Sequence, residues 1–263
     1  MKTLYESLLD GFEKLEDSTD PINEVKQFLK DNYLKSNKLK ISETPNKDGR
    51  YEVDCRDRAY VEVKNNKIIS LTNGMFEFTN VRNFNCEDCN NLTSLDGSPK
   101  EVAGNFYCSY CNNLPSLEGA PEKVGGKFDC NDCTNLTSLK GAPKEVMGNF
   151  CCSYCDNLTS LEESPTKVGT IFDCSYCTNL TSLKGAPKNV NSFNCSNCKN
   201  LTSLDGAPKK VRGYFNCSGC SNLTSLKGAP EKVGGSFACA NCNNDFCAYD
   251  VIKICDVKGR IIF

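Results

Sequence analysis

The residues best suited to chemistry are the cysteines, because sixteen of the twenty fall in Cys-x-x-Cys pairs. The eight pairs lie at residues 86/89, 108/111, 130/133, 152/155, 174/177, 195/198, 217/220 and 239/242. Two pairs from neighbouring units could supply the four thiolates of a structural zinc site. One such candidate set is Cys108, Cys111, Cys130 and Cys133. In the second interpretation each thiol is a small buried hydrophobic group.

The fixed place of the pairs in a repeat favours the buried interpretation. Every pair occupies the same two positions of its unit, and a flat ladder of strands does not by itself arrange ligands as a tetrahedron. A redox-active pair would need an exposed thiol of low pKa, and the pattern predicts no helix N-terminus to create one. We therefore expect a structural cysteine ladder without a cofactor, with a regulatory disulfide as a further alternative. Strand alternation points Cys151 outward, so we expect an accessible thiol there.

A repeat of about 22 residues positions these pairs. Phenylalanine recurs at residues 84, 106, 128, 150, 172, 193, 215 and 237, with a spacing of 22 except for one step of 21. A fixed period in this range is typical of a solenoid, in which each unit packs on its neighbours. The Val, Phe and first Cys of a unit have the spacing of a strand, and the Gly-Ala-Pro that follows suits neither sheet nor helix. The prediction is a β-rich solenoid of eight units whose strands form a parallel sheet.

Both ends of the array, residues 84–242, are predicted to carry other structure. Residues 1–40 should form a separable helical segment, with apolar stripes over residues 4–15 and 22–33 and a helix start at Asp20-Pro21. Residues 41–83 should form a β cap that includes a degenerate repeat at residues 68–71. Residues 243–263 should form a short helix and a final strand. Their apolar residues are expected to seal the last core layer: Val251, Ile252, Ile254, Ile261 and Ile262.

The repeat resembles known leucine-rich architectures. Phe106-Tyr-Cys108-Ser-Tyr-Cys111-Asn-Asn-Leu114 is similar to the leucine-rich repeat core, with Phe and Cys in leucine positions. The Leu-Thr-Ser-Leu-x-Gly-Ala-Pro units resemble those of leucine-rich-repeat-like proteins of tailed bacteriophages, notably phages of gut bacteria. The resemblance extends over most of the chain. It implies an architecture and a phage origin, and it implies no activity, because that family has no established one.

The residues that flank the inward Phe and Cys are predicted to line an exposed sheet face. In the first five units this face carries acids and tyrosines, and in the last three it carries small neutral residues. The candidate binding residues are Tyr107, Tyr110, Asp129, Asp132, Tyr154, Asp173 and Tyr176. Tyrosines are common in interfaces, and the acids would favour a partner with a basic surface. The alternative is a solvated face without a partner.

Composition narrows the class of function. The chain contains no histidine, which removes the usual general base near neutral pH. We expect a non-enzymatic protein-interaction solenoid, and the alternative is metal binding or thiol buffering by the cysteine ladder. The net charge of −2 and the lack of a long apolar run predict no nucleic-acid or membrane partner. We expect a monomer or weak oligomer in the cytoplasm of a bacterial host, or associated with the virion.

Overall fold

The chain forms a parallel β-solenoid of about 9 turns, as the repeat predicts. A computed structural model describes residues 20–33, 39–55, 60–63, 68–243 and 246–263. The apolar stripe expected over residues 4–15 lies outside these residues. Among the described residues, one sheet has 16 parallel strands and a second sheet has three.

Most strands are only two residues long and recur once or twice in each turn. In the first third of the chain they are β1 (Leu39–Ile41), β2 (Tyr51–Cys55), β3 (Tyr60–Glu62), β4 (Phe76–Thr79) and β5 (Asn83–Asn85). The array then contributes β6 (Glu101–Val102), β7 (Phe106–Tyr107), β8 (Lys123–Val124), β9 (Phe128–Asp129), β10 (Glu145–Val146), β11 (Phe150–Cys151), β12 (Lys167–Asp173), β13 (Asn189–Asn194), β14 (Lys210–Val211), β15 (Phe215–Asn216), β16 (Lys232–Val233) and β17 (Phe237–Ala238). The C-terminal region adds β18 (Asp256–Val257) and β19 (Ile261–Ile262).

Each unit contributes to two parallel ladders, one carrying valines and one carrying phenylalanines. Val124 pairs with Val102 and Val146, and Phe128 pairs with Phe106 and Phe150. A Gly usually separates the two ladders, and a side chain there would collide with the preceding turn: a Cβ on Gly148 would lie 2.6 Å from backbone atoms of Gly126. Glycine therefore lets successive turns approach closely where the chain bends.

The two ladders merge where the glycine is missing. Thr170 occupies that position in one unit, and the following unit is one residue shorter with Ser192 before its Phe. There the strands become continuous, as β12 and β13. Their pairing shifts register between Val168 and Ile171, which absorbs the missing residue. The one irregular spacing of the sequence thus becomes a local β irregularity, and the stack continues on both sides.

The core is a column of aromatic rings flanked by leucines and thiols. The array phenylalanines are fully buried, and adjacent rings from Phe84 to Phe215 stack with centroids 5.2–5.7 Å apart and planes within 4–11°. The two leucines of each Leu-x-x-Leu segment are also buried. Because every unit supplies the same side chains at the same positions, burial is regular along the whole stack.

The N-terminal cap packs directly on the first turn. Helix α1 (Pro21–Asn32) begins at Asp20, whose side chain accepts a hydrogen bond from the Ile22 N–H, as Asp20-Pro21 predicts. Val25 and Leu29 are buried, and Tyr33 contacts Phe78 and Phe84 edge-on. The apolar side of this helix joins the array core, which argues against a separable segment. Separability itself stays a prediction, which a deletion can test.

The same packing leads to a prediction. Deleting residues 1–40 should lower the melting temperature by at least about 10 °C, because three buried apolar side chains contribute about 1.5–3 kcal/mol each. Circular dichroism melting measures the shift. Gln27→Ala is the control, because Gln27 is exposed and its side chain donates to Asp31 within the same helix. An unchanged melting temperature after the deletion would show that the helix is dispensable.

The C-terminal region extends both ladders by one further turn. Val257 pairs with Val233, and Ile261 pairs with Phe237, so a final strand is confirmed. Helix α2 (Ala248–Ile252) buries Val251. The expected apolar seal is only partly correct, because Ile252, Ile254 and Ile262 are exposed and Ile261 is half-buried. The helix is a single short turn, so only one side of it faces the core.

Candidate partner-binding surface

The turn after each Phe strand holds one residue in the left-handed backbone region. That residue follows the first Cys by two positions, and its φ lies between 56° and 60° in the non-glycine examples. The column comprises Asp88, Tyr110, Asp132, Tyr154, Tyr176, Asn197, Gly219 and Asn241. Its backbone N–H groups donate to carbonyls of the next unit, as Tyr154 does to Ser175 at 3.0 Å. The turn geometry is therefore fixed by the stacking, whatever side chain occupies it.

Three tyrosines occupy this column at an energetic cost. Left-handed backbone is tolerated by glycine, asparagine and aspartate, and it costs other residues about 1–2 kcal/mol. Five of the eight units follow that preference, whereas Tyr110, Tyr154 and Tyr176 do not. We call these three residues the tyrosine ladder. Nothing in the packing requires a tyrosine there, because Asn197 and Gly219 complete the same turn in other units.

The tyrosine ladder presents aromatic surface to solvent. Tyr110, Tyr154 and Tyr176 are 49%, 45% and 39% exposed. The rings of Tyr154 and Tyr176 stack with centroids 4.4 Å apart and planes at 7°. Asp132 lies between Tyr110 and Tyr154 in the column, half-buried, and its pKa is raised by burial and then by the nearby Asp129 and Asp156 carboxylates. Four candidate residues thus form one surface, three of them exposed.

The other candidates lie in a second column, on the strands themselves. The pairing register places Tyr107, Asp129, Cys151 and Asp173 side by side in successive units. Tyr107 is half-buried, and the Asn105 amide donates to its hydroxyl at 2.7 Å. Asp173 is half-buried and accepts from the Ser175 hydroxyl at 2.6 Å. Tyr107 and Asp173 already have intramolecular hydrogen-bond partners. Their column therefore lies beside the tyrosine ladder as a less available part of the surface.

The structure corrects the predicted position of Asp129 on the binding surface. It was expected on an exposed face, but it is only 7% exposed, and its carboxylate accepts from the Lys127 ammonium at 2.5 Å. The neutralised pair contributes little to the electrostatic attraction of a basic partner. Four serines that directly follow the first Cys of their units are also buried: Ser109, Ser153, Ser175 and Ser196. Tight stacking of the turns hides small side chains that alternation directs outward.

The structure also corrects the predicted exposure of Cys151. Its thiol was expected to be accessible, but it is only 8% exposed, and burial raises its pKa to about 12 although the Lys127 ammonium opposes the shift. The thiol is therefore protonated and covered at neutral pH. Sequence reasoning also missed Tyr214, whose pKa is raised by burial, Asp173 and Cys151 in that order. Tyr214 directly precedes Phe215, in a column outside the predicted strand face.

The cysteine pairs form a hydrogen-bonded ladder inside the stack. In seven of the eight pairs the second thiol donates to the carbonyl of the first cysteine one unit earlier, as Cys111 does to Cys86 at 3.0 Å and Cys133 does to Cys108 at 3.2 Å. Cys130 donates to the Cys151 carbonyl at 3.2 Å. Cys108, Cys111, Cys130 and Cys133 are fully buried, and the pKa values of Cys108, Cys130 and Cys133 are raised by burial first. The hydrogen-bonded thiols thus link one turn to the next.

Within the described residues, no group of three or more His, Cys, Asp or Glu side chains has an arrangement that could hold a metal ion. Three of the four candidate zinc ligands, Cys111, Cys130 and Cys133, instead donate to backbone carbonyls. By its fold the chain is a repeat protein of the parallel β-solenoid class.

Comparison with known proteins found no matching family model, no matching curated protein and no matching solved structure. Among the residues that the structure describes, no helix combines the length and apolar character needed to cross a bilayer.

Proposed function

We propose that this chain is a non-enzymatic interaction solenoid whose tyrosine ladder binds a protein partner. The observation that carries the proposal is the exposure of three tyrosines at turn positions where the backbone disfavours them. A residue retained in an unfavourable conformation without a packing reason points to a function of its side chain. Tyrosine suits this function because it combines a large apolar ring with a polar hydroxyl.

The surroundings of the tyrosine ladder favour a partner with a basic surface. Asp88 and Asp156 are exposed beside it, and Asp132 lies within it. Three register steps separate Tyr110 from Tyr176, which corresponds to about 14 Å at the usual strand spacing. A patch of this length suits the centre of a protein interface, where aromatic side chains contribute most of the affinity.

The setting of the proposed interaction follows from the resemblance to phage proteins. That resemblance supports a chain encoded by a phage and acting on a protein of the bacterial host, in the host cytoplasm or in the virion. The lack of histidine and the burial of the array thiols support binding and argue against catalysis.

Replacing Tyr110, Tyr154 and Tyr176 with asparagine tests the proposal. Asparagine accepts left-handed backbone, so the melting temperature should stay the same or rise slightly. Partner binding should weaken by at least about 100-fold, because interface tyrosines commonly contribute more than about 1 kcal/mol each. The measurement is a quantitative pull-down from host lysate, followed by titration of the purified partner.

The matched control uses the same turns in other units. Asn197→Gly and Asn241→Gly change the same column without touching a tyrosine, and Gly219 shows that glycine completes this turn. Their binding should remain within about twofold of wild type. If the triple tyrosine variant binds as wild type does, or if the control loses binding equally, the tyrosine ladder is not the partner site.

The alternative of metal binding by the cysteine ladder has its own test. Elemental analysis after native purification should give well under one zinc or iron per chain, and a chelator should leave the melting temperature unchanged. The reason is that a ligand thiol must be deprotonated, whereas burial and hydrogen bonding raise the pKa of most array thiols. One ion per two units would support the metal-binding function instead.

A further inference from the structure

Two open depressions lie along the outside of the valine ladder, and they differ in charge. The one near the N-terminal end has a volume of about 450 Å³ and carries Glu101, Lys123 and Glu145. The one in the later units has a volume of about 570 Å³ and carries only cations among its ionisable residues: Lys167, Lys188, Lys209, Lys210 and Arg212. We call this second depression the basic groove. Its floor is formed in part by Val168 and Val190.

The strand register allows equivalent residues of the two depressions to be compared directly. The register aligns Glu101, Lys123, Glu145, Lys167 and Asn189 in one column, one residue from each unit. In the first half, carboxylates alternate with lysines, and Lys123 pairs with Glu101 at 3.4 Å. In the basic groove the same column holds Lys167, Asn189 and Lys210, without a carboxylate. The valine pairing continues through both depressions, whereas the ionic balance differs between them.

Most cations of the basic groove are unpaired. Lys209 pairs with Glu231 at 3.4 Å. Among the residues that the structure describes, Lys167, Lys188, Lys210 and Arg212 form no ion pair, and all four are exposed. Elsewhere on the array, rim lysines such as Lys140, Lys184 and Lys227 contact acids of the preceding unit. A local cluster of unpaired cations on a chain of net charge −2 attracts anions.

We propose that the basic groove binds a short, extended, acidic peptide segment of a protein partner. The groove spans three units, about 10 Å between the outer strands, which matches about three residues of extended chain. Asn189 and Asn191 are exposed along it and can both donate to and accept from a peptide backbone. None of the residues that line it is aromatic, so it lacks the stacking surfaces that single-stranded nucleic acids use.

Fluorescence anisotropy with a labelled eight-residue Asp/Glu peptide tests the proposal, with an Asn/Gln peptide of equal length and an oligothymidine of equal charge as comparisons. The acidic peptide should bind, and the neutral peptide should not. Replacing Lys167, Lys188 and Lys210 with alanine should weaken acidic-peptide binding by at least about 10-fold. The matched control replaces Lys100, Lys140 and Lys227, three rim lysines outside the groove, and should change binding by less than about twofold.

A gain-of-function variant tests the proposal without relying on a loss of affinity. Glu101→Lys with Glu145→Asn gives the depression near the N-terminal end an ionic pattern similar to that of the basic groove, and the bound stoichiometry should rise from one acidic peptide to two. The triple tyrosine variant should bind the acidic peptide as wild type does, which separates this site from the proposed partner surface. The proposal is overturned if the acidic peptide does not bind, if the control lysines matter equally, or if oligothymidine binds more tightly through the same three lysines.

Discussion

Raising the pH from 8 to 10 should unfold the solenoid in one steep transition. Fifteen thiols have pKa values raised in the folded chain. For Cys198 the largest cause, the hydrogen bond with Cys174, lowers the pKa, and burial together with Cys177 and Cys220 outweighs it. For ten of them burial is the largest cause: Cys55, Cys89, Cys108, Cys130, Cys133, Cys151, Cys155, Cys174, Cys239 and Cys255. For four the largest cause is the contact with the second thiol of the next unit: Cys86, Cys152, Cys195 and Cys217.

The stability falls as the pH rises because the thiols ionise at a lower pH in the unfolded chain than in the folded chain. An unfolded thiol ionises at about pH 8.5, whereas Cys55, Cys89 and Cys151 remain protonated in the fold up to about 12. Their stabilisation is complete below about pH 8.5 and is lost as the pH rises toward the folded pKa values. One pH unit above 8.5, each protonated thiol costs about 1.4 kcal/mol. A dozen such thiols lose more free energy than the 5–15 kcal/mol that stabilises a typical domain.

Circular dichroism against pH, under reducing conditions, measures the transition. Replacing Cys108, Cys130 and Cys152 with alanine should reduce the slope of unfolding free energy against pH by up to about 4 kcal/mol per unit. Leu114→Ala is the matched control, because it also removes a buried side chain but leaves the number of thiols unchanged. A slope that is equal in both variants, or a fold that persists at pH 10, would contradict the prediction.

Phe150→Ala should lower the free energy of unfolding by about 3–5 kcal/mol. Phe150 is fully buried at the middle of the ring column, and its ring stacks on Phe128 and Phe172 with both centroid separations at 5.2 Å. The substitution leaves a cavity between the Phe128 and Phe172 rings and removes both stacking contacts. Equilibrium denaturant unfolding measures the loss.

The comparison variant is Phe237→Ala, at the end of the column. That ring is equally buried, but its aromatic neighbour is Phe215 alone, tilted by 38°, and Ile261 takes the next place. The end substitution should cost less by about 0.5–1.5 kcal/mol, the usual contribution of an aromatic pair. Equal costs at the two positions would show that ring stacking contributes nothing beyond burial.

The period of the sequence was enough to predict the architecture. Phe, Cys and Leu recur at fixed positions of the unit. In a fold made of stacked units, apolar residues that recur at the same position form the core. The start of helix α1 was equally readable, because Asp20-Pro21 combines a capping side chain with a proline at the first helical position. These features depend on local chemistry or on the repeat itself, and both are present in the sequence.

The candidate surface was less predictable, because exposure depends on neighbours that alternation ignores. Alternation gives the direction in which Asp129 and Cys151 point, but Lys127 and the adjacent turns cover them. The left-handed turn was also not predicted from the sequence. The signal that could have indicated it is a column of repeat positions occupied mainly by Asp, Asn and Gly, the residues that favour left-handed backbone, together with Tyr. At the C-terminus, Ile252 and Ile254 look like core residues, but helix α2 is too short to bury them.

The single 21-residue unit has a consequence for how the chain finds its native pairing. Units so alike in their buried residues would pair almost as well after a slip by one whole unit, because Phe would still meet Phe and Val would still meet Val. The continuous strands β12 and β13 and their shifted pairing occur at one place only in the described array. A slipped chain would have to accommodate that irregularity against a unit of the wrong length. The short unit therefore favours the native pairing register over registers shifted by one or more whole units.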